Sequence, residues 1–415
     1  MKRMKDNKDA ARAQEKKKIL FVTNTMGRAG AEKCLQALLE LLDPAQYDLS
    51  VYSIINRGEL YSDMPEYVHI LNKKPCTKSV LDNAGLAAIA RQIGWSLLRK
   101  FHFITYIPYF FRALAHQIKI KRLDFSKLFW MLLARSAKRF DEEYDLAVAF
   151  IEGAATYYVA DYVKARKKAT YVHIDYLAAG YNPKTDKKYY DKFDRVFCVS
   201  DTVRRVFLKA YPEYESKTFF FHNMVPRERI LRLAKEGKGF DDGFDGLRIL
   251  TVGRLHYQKA YDLAIPALAQ LRRRGHNVRW YVIGEGAEED NLRVLIKQNG
   301  VEDSFILMGC FANPYPYIAG CDIYSQASRF EGWCIALAES LVLARPVLAS
   351  RCAGNEEQVT DGETGVLIDL STENIVEGME KLITSPELRV KFTRNLSGVT
   401  LDFKKDLEML YALTD

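Results

Sequence analysis

Leu247-Arg-Ile-Leu-Thr-Val-Gly253 leads into a loop, Arg254-Leu-His-Tyr-Gln-Lys259, and then into a helical pattern over 261–274. A short apolar run that ends on glycine before a helix reads as a parallel strand. Such a strand is covered on both faces and so is apolar without alternation. The unit recurs: 278–283 ends at Gly284-Glu-Gly286, and further strands are expected at 305–308, 322–325, 346–350 and 365–368. Upstream, Lys18-Ile-Leu-Phe-Val-Thr-Asn24 opens an equivalent series. It continues through a loop with Gly27 and Gly30 and a helix with Leu35, Leu38, Leu39 and Leu42 at helical spacing, then strands at 49–54, 146–150, 170–174 and 195–199. Alternation of strand and helix predicts the α/β class, and the restart near residue 247 predicts two doubly wound domains. The expected boundaries are a disordered basic tail at 1–17, a first domain at 18–225, and a charged, glycine-rich linker at 226–246. A second domain at 247–395 follows, then a C-terminal helix at 396–415 packing back on the first domain.

Charge is unevenly placed along the 415 residues. The net charge is +8, yet residues 1–18 carry eight Lys/Arg against three acids and residues 73–140 carry fourteen against two. The remainder is therefore 8 − 5 − 12 = −9, a mildly acidic protein with two basic attachments. Residues 80–140 break the α/β rhythm. Leu86, Ile89, Ala90, Ile93 and Leu97 share one helical face, and aromatic residues from Phe101 to Trp130 interleave with Arg112, Lys119, Lys121, Arg122 and Lys127. A helical insert that is basic on one side and aromatic on the other suits an anionic membrane surface. The alternative is plain packing on the first domain with a solvated basic face. Nucleic acid is not an expected partner, because no recognition motif accompanies the charge.

Seven cysteines without paired spacing argue for a reducing compartment and against a structural metal. The N-terminus shows no apolar signal stretch, and no window reaches the roughly 18 apolar residues of a membrane span. The expectation is a cytoplasmic protein, peripheral on the inner face of the plasma membrane.

Three pieces of the second half carry the chemistry. Gly253, Arg254 and Lys259 lie after a strand, where open α/β sheets bind ligands, and both cations can face a diphosphate. Ser328-Arg-Phe-Glu331-Gly-Trp-Cys-Ile-Ala-Leu-Ala-Glu339 puts Glu331 in a loop and Glu339 inside an apolar helix. A buried glutamate there needs hydrogen bonds, and the free N–H groups of 332–335 form an anion-binding helix start. A third piece runs from a strand into Gly354-Asn-Glu-Glu357 and the turn Asp361-Gly-Glu-Thr-Gly365.

On these residues, the half from 247 to about 370 resembles glycosyltransferase family 4, whose fold is GT-B. The family's two glutamates seven residues apart match Glu331 and Glu339, and its Gly-Arg…Lys loop matches Gly253, Arg254 and Lys259. Its Asn-Pro-Tyr before a strand ending in Asp matches Asn313, Pro314, Tyr315 and Asp322. Looser matches in the first half are Gly30-Ala-Glu-Lys33, Tyr171-Val-His173-Ile-Asp175, Val199-Ser200 and His222-Asn223. Departures are Ala260 for the glycine after the lysine, Trp333-Cys334 for Leu/Phe-Pro, Ser340 for alanine, and Arg28-Ala29 in place of a double glycine.

The resemblance implies a retaining transfer from a nucleotide-diphosphate sugar, with UDP-sugars favoured, to a lipid-linked or glycan acceptor in surface polysaccharide or glycolipid synthesis. Arg254, Lys259, Glu331 and His173 would be catalytic. Glu339, Gly253, Gly284, Phe330, Gly332, Trp333, Cys334, Ile335 and Gly30 would bind the donor. No cofactor and no metal is expected, since fixed cations can stabilise the leaving diphosphate and no Asp-x-Asp stands at a strand end. A sugar-nucleotide epimerase and a non-catalytic membrane protein on the same fold are the alternatives. A hydrolase would leave the two cations unexplained, and a dinucleotide oxidoreductase lacks its glycine fingerprint.

Overall fold

The computed structural model describes residues 16–79, 83–98, 103–119, 125–398 and 402–414. The basic tail, apart from Lys16 and Lys17, lies outside them, as do Phe101, Lys121 and Arg122 of the insert. The chain divides into two compact units, Met1–Met224 with Phe403–Asp415, and Val225–Asp402. Each is a parallel sheet with helices, and together they make the two Rossmann-like domains of a GT-B fold.

The sheet of the first unit contains β1 (Lys17–Thr23), β2 (Tyr47–Ser53), β3 (His69–Ile70), β4 (Glu143–Ala149), β5 (Lys164–Val172), β6 (Arg195–Cys198) and β7 (Thr218–Phe220). Their order is β3-β2-β1-β4-β5-β6-β7. The chain runs outward from β1 to β3 and then returns to β4 on the other side of β1, so the crevice between the ends of β1 and β4 is the topological switch point. Five of the seven residues of β1 are buried, as a strand covered on both faces requires. β3 and β7 are edge strands of two and three residues, too short to show a pattern in the sequence. β5 begins six residues earlier than expected because Lys164-Ala-Arg-Lys-Lys168 still pairs with β4.

Among its described residues the insert forms three helices, Asn83–Leu98, Phe103–Lys119 and Phe125–Ser136. The first and third are anchored in the first unit's core. Ile89, Ile93, Trp130 and Met131 pack on a cluster containing Leu133, Ala134, Tyr158 and Phe193. The Gln92 amide donates to Ile54 O at 3.1 Å and to Ser136 Oγ at 3.0 Å. Ala90, expected on the packed face, is exposed. The middle helix differs: Pro108, Phe111, Arg112, Ala115, Ile118 and Lys119 are all exposed. No helix among the described residues is long and apolar enough to cross a membrane.

The second unit contains β8 (Leu247–Val252), β9 (Val278–Ile283), β10 (Phe305–Leu307), β11 (Ile323–Gln326), β12 (Val347–Ser350) and β13 (Gly365–Ile368), in the order β10-β9-β8-β11-β12-β13. Its switch point lies between β8 and β11. Residues 226–246, read as a linker, are instead folded onto this unit. The helix Arg227–Leu233 belongs to it, and the Phe240 ring packs 4.6 Å from Tyr281 and 5.2 Å from Tyr317. Asp242 pairs with Arg248 at 2.8 Å and Arg279 at 3.3 Å, and it also accepts from the Tyr281 hydroxyl. Partial burial opposes ionisation, but Arg248 and Tyr281 hold the Asp242 carboxyl well below its ordinary value. Composition read this stretch as flexible, and its two aromatic and acidic anchors find partners that only the fold supplies.

The last helix, Lys404–Tyr411, lies in the first unit. Tyr411 stacks on Tyr47 at 5.5 Å, and the buried Asp406 carboxylate accepts the His222 backbone N–H at 2.8 Å. Its other oxygen lies 2.9 Å from His222 Nδ1. Replacement by alanine leaves these donors without a charged acceptor. Asp406→Ala is expected to destabilise the first unit by about 1.5–3 kcal/mol, read as a lower urea midpoint, with Asp406→Asn losing less.

Candidate active site

Three backbone loops meet where β8, β9 and β10 end. Gly253 N–H donates to Ile283 O at 2.9 Å, Gly284 N–H to Gly309 O at 2.8 Å, and Leu255 N–H to Glu285 O at 3.0 Å. Side chains are excluded by proximity: a Cβ on Gly284 would lie 2.0 Å from Gly253 O, and one on Gly286 2.3 Å from Leu255 O. This explains the glycines by packing, and it leaves the Gly253–Lys259 loop lying over the strand ends.

Across the switch point, the loop after β11 brings Glu331 to Lys259. The Lys259 Nζ donates to Glu331 Oε1 at 2.7 Å, with side-chain exposures of 11% and 7%. The other carboxylate oxygen accepts from Gln258 Nε2 at 3.2 Å. The Cys334 sulfur lies 3.9 Å from the ammonium. Burial alone would lower the Lys259 pKa, but the Cys334 sulfur and the Glu331 carboxylate reverse the sign, so the ammonium stays charged beyond its ordinary range. Burial pushes the Cys334 thiol up to about 12, against the opposing pull of Lys259. Tyr261, fully buried beneath the loop, donates to Gly253 O at 3.0 Å.

Glu339 sits in the helix Ile335–Val342, 3% exposed, and accepts the Tyr315 hydroxyl at 2.7 Å. Asn313 anchors the second unit's first helix by donating to Leu233 O at 2.9 Å and Glu236 O at 3.1 Å. Asp322 accepts the Arg248 backbone N–H at 2.8 Å, a purely architectural contact. Phe330 is 39% exposed at the loop's edge. Gly332 and Trp333 are half-buried, and a Cβ on Gly354 would lie 2.7 Å from the Gly332 carbonyl. Ile335 begins the helix, with Cys334 at its N-cap position and no side chain capping it. Arg254 is exposed and makes no hydrogen bond or ion pair among the described residues. Ala260 adopts φ 52°, ψ 34°, the left-handed conformation natural to glycine, at a cost of about 1–2 kcal/mol.

In the first unit, Gly30 opens the helix Gly30–Leu41, and Thr25 Oγ1 donates to Glu32 Oε1 at 2.9 Å. Arg28 pairs with Asp63 at 3.1 Å, so the residue that breaks the double glycine is turned to an acidic partner within its own unit. His173 follows β5. Its backbone N–H donates to the buried Glu152 carboxylate at 3.0 Å, and its Nε2 lies 2.9 Å from Phe150 O. A carbonyl can only accept, so Nε2 carries the proton. Nδ1 is then the acceptor of a neutral ring. Burial lowers the His173 pKa, against the opposing pull of Glu152.

The structure thus brings Gly253, Lys259, Glu331, Cys334 and Gly284 together at one strand edge, with Glu339 held by Tyr315 nearby in the same unit. His173 and Gly30 lie at the corresponding strand ends of the other unit. Gln258, Tyr261 and Glu152 escaped the sequence reading, which gave Tyr315 no contact with Glu339. Gln258 adjoins the lysine and Tyr315 stood in a motif already singled out. Tyr261 and Glu152 gave no local signal.

Residues 243–397 match the family model described as glycosyl transferases group 1. The N-acetylgalactosamine-N,N'-diacetylbacillosaminyl-diphospho-undecaprenol 4-alpha-N-acetylgalactosaminyltransferase of Campylobacter jejuni is 33% identical over 175 residues, 42% of this chain and 46% of that protein. Alpha-D-kanosaminyltransferase of Streptomyces kanamyceticus is 28% identical over 193 residues, 41% of this chain and 49% of that protein. The matched stretch therefore spans less than half the length of these relatives. Among solved structures, HepE of Anabaena in complex with UDP-glucose has a TM-score of 0.66 at 17% identity, covering 95% of this chain and 99% of its own. TarM of S. aureus in complex with UDP has a TM-score of 0.54 at 16% identity, covering 65% and 55%. Likeness at this level of identity establishes the fold.

Two outcomes follow from the electrostatics. Lys259→Met strands a buried carboxylate and is expected to lower the second unit's stability by about 3–5 kcal/mol in urea unfolding, while adding Glu331→Gln recovers most of the loss. For His173, the folded pKa lies below the unfolded value of 6.5, so the unfolded chain binds the proton more readily. Its contribution is present above pH 6.5 and is lost as pH falls through 6.5 toward the folded pKa. The difference in melting temperature between wild type and His173→Gln should shrink over that window.

Proposed function

We propose that this chain, which carries a group 1 glycosyl transferase domain at residues 243–397 within a GT-B fold, is a retaining, metal-independent glycosyltransferase of surface polysaccharide or glycolipid synthesis. It moves a sugar from a nucleotide-diphosphate donor, a UDP-sugar, to a lipid-linked or glycan acceptor. The observation that carries this reading is the buried Lys259–Glu331 pair at the switch point of β8 and β11.

Breaking the anomeric bond develops negative charge on the departing diphosphate. A cation fixed beforehand stabilises that charge without reorganising at the moment of reaction. Lys259 is such a cation, and exposed Arg254 on the same loop can join it. The uncapped N–H groups at the start of Ile335–Val342 add a third positive element. Glu331, whose oxygens already accept from Lys259 and Gln258, can turn them to the hydroxyls of the donor sugar. Glu339, held by Tyr315, suits the ribose hydroxyls. Neutral His173, with Nδ1 as acceptor, receives a hydrogen bond from a sugar hydroxyl and does not donate a proton from that atom. The UDP preference draws on the complexes of HepE and TarM, and the lipid-linked acceptor on the Campylobacter relative.

Association with an anionic membrane, on the inner face of the plasma membrane, is part of the proposal. Its support is the middle helix of the insert, where Pro108, Phe111, Ala115 and Ile118 form an exposed apolar stripe at helical spacing, flanked by Arg112 and Lys119.

The donor test is nucleotide release from a panel of UDP-, GDP- and ADP-sugars, with and without EDTA and with polyprenyl-diphosphate-linked sugars as acceptors. UDP release that survives EDTA is expected, falling about 10²–10³-fold in Glu331→Ala. Release abolished by EDTA would overturn metal independence, and release from GDP- or ADP-sugars alone would overturn the donor assignment. For the membrane, Arg112→Gln with Lys119→Gln should weaken flotation with anionic vesicles by roughly thirtyfold, at about 1 kcal/mol per residue. Unchanged flotation would remove this part of the proposal.

A further inference from the structure

Lys259 and Glu331 sit on two loops that leave neighbouring strands and are far apart in sequence. The ammonium–carboxylate contact between them is the very contact that a bound donor must share or displace. Something else must hold the loops in register when that happens, and the candidates are the side chains that bracket Lys259.

Arg329, two residues before Glu331, reaches across to both flanks of Lys259. Its Nη1 donates to Tyr257 O at 2.7 Å and to Asp262 Oδ1 at 2.8 Å, and its Nη2 donates to Asp262 Oδ2 at 2.7 Å. The guanidinium lies 3.8 Å from the centre of the Tyr257 ring, and the Arg329 side chain is 18% exposed. The backbone joins in: Arg329 N–H donates to Gln258 O at 2.8 Å, and Gln258 Nε2 donates to Phe330 O at 2.8 Å. Tyr257, Gln258 and Asp262 therefore stand on either side of Lys259, each tied to residues 329–330. Asp262 lies in the first turn of the helix Tyr261–Arg273, where the helix dipole favours its charge.

We propose that Arg329 is a positioning residue for the transfer reaction, a staple between the phosphate-facing loop and the sugar-facing loop that keeps Lys259 in place while its bond to Glu331 is given over to the donor. The inference rests on the glycosyl-transfer reading of this site. A guanidinium suits the task because its planar fork engages a carboxylate with two bonds, donates to a carbonyl and stacks on a ring at once. An ammonium, as a point charge, cannot do all of this. Loss of the staple should let Lys259 drift from the position where diphosphate charge develops. That is an error in the transition state more than in ground-state binding.

The test compares Arg329→Gln, Arg329→Lys, Asp262→Asn and the exchanged pair Arg329→Asp with Asp262→Arg, using Arg293→Gln on the remote pair with Glu289 as control. Two readouts are taken on the full chain: amide hydrogen exchange of residues 253–260, and steady-state kinetics with the UDP-sugar that the wild type uses. Expected are faster exchange confined to 253–260 and 329–334, and kcat reduced about 10- to 100-fold with little change in the donor KM. Arg329→Lys should resemble Arg329→Gln, and the exchanged pair should recover part of the protection. Wild-type exchange and kcat in Arg329→Gln would overturn the proposal, and so would wild-type kcat in Arg329→Lys. Exchange raised throughout the second unit would overturn it too, since that marks a general structural role. Exchange requires no substrate. A chain that transfers no sugar yet loosens at 253–260 would sink the transfer reading and keep the staple. An active chain indifferent to Arg329 would sink the staple alone.

Discussion

A buried lysine and a buried glutamate, 2.7 Å apart, are held together against the cost of removing two charges from water. Burial by itself would disfavour the Lys259 charge. Their pairing is maintained because the loops are fastened by other bonds as well: the 253–260 loop by backbone bonds to Ile283 and Glu285 and by Tyr261, the 327–334 loop by the Ser328–Ser350 contact, and the two to each other by Arg329 and Gln258. The ion pair of the candidate site is thus fixed in place, and the surrounding packing supplies the geometry that the pair by itself could not keep.

Close approach of backbone to backbone is what makes that geometry available. The ends of β8, β9 and β10 lie so near one another that Gly284 and Gly286 leave no room for a Cβ. Where glycine is absent, the fold accommodates the loss. Ala260 takes the left-handed conformation at a local cost, and its complete burial helps to offset the strain. Arg28, standing where a small residue would leave an open loop, pairs with Asp63.

The insert divides its labour between packing and exposure. Its first and third helices complete the hydrophobic core of the first unit, with Trp130 set against Gly153 and Gln92 bonded into the β2 end. The middle helix keeps an apolar stripe in solvent beside two basic residues. Packing on the first unit is therefore the structural role of two helices, and the middle one keeps the exposed face on which the proposed membrane contact rests. A burial pattern, unlike a composition, separates them.

The amino-acid sequence by itself determined the alternation of strand and helix, because a parallel strand covered on both faces must be apolar throughout and a glycine must follow it where loops crowd. It also determined the two units and singled out Lys259 and Glu331, which the fold brings together as an ion pair. Tertiary structure alone decided the rest. β3 and β7 are too short to carry a period, and residues 226–246 hide their anchoring of Phe240 and Asp242 within a composition that resembles a linker. Asp262 and Arg329 are ordinary charged residues 67 positions apart until the adjacency of β8 and β11 brings them to hydrogen-bonding distance. Local sequence records backbone periodicity and burial. Pairing across a sheet depends on strand order, which belongs to the whole chain.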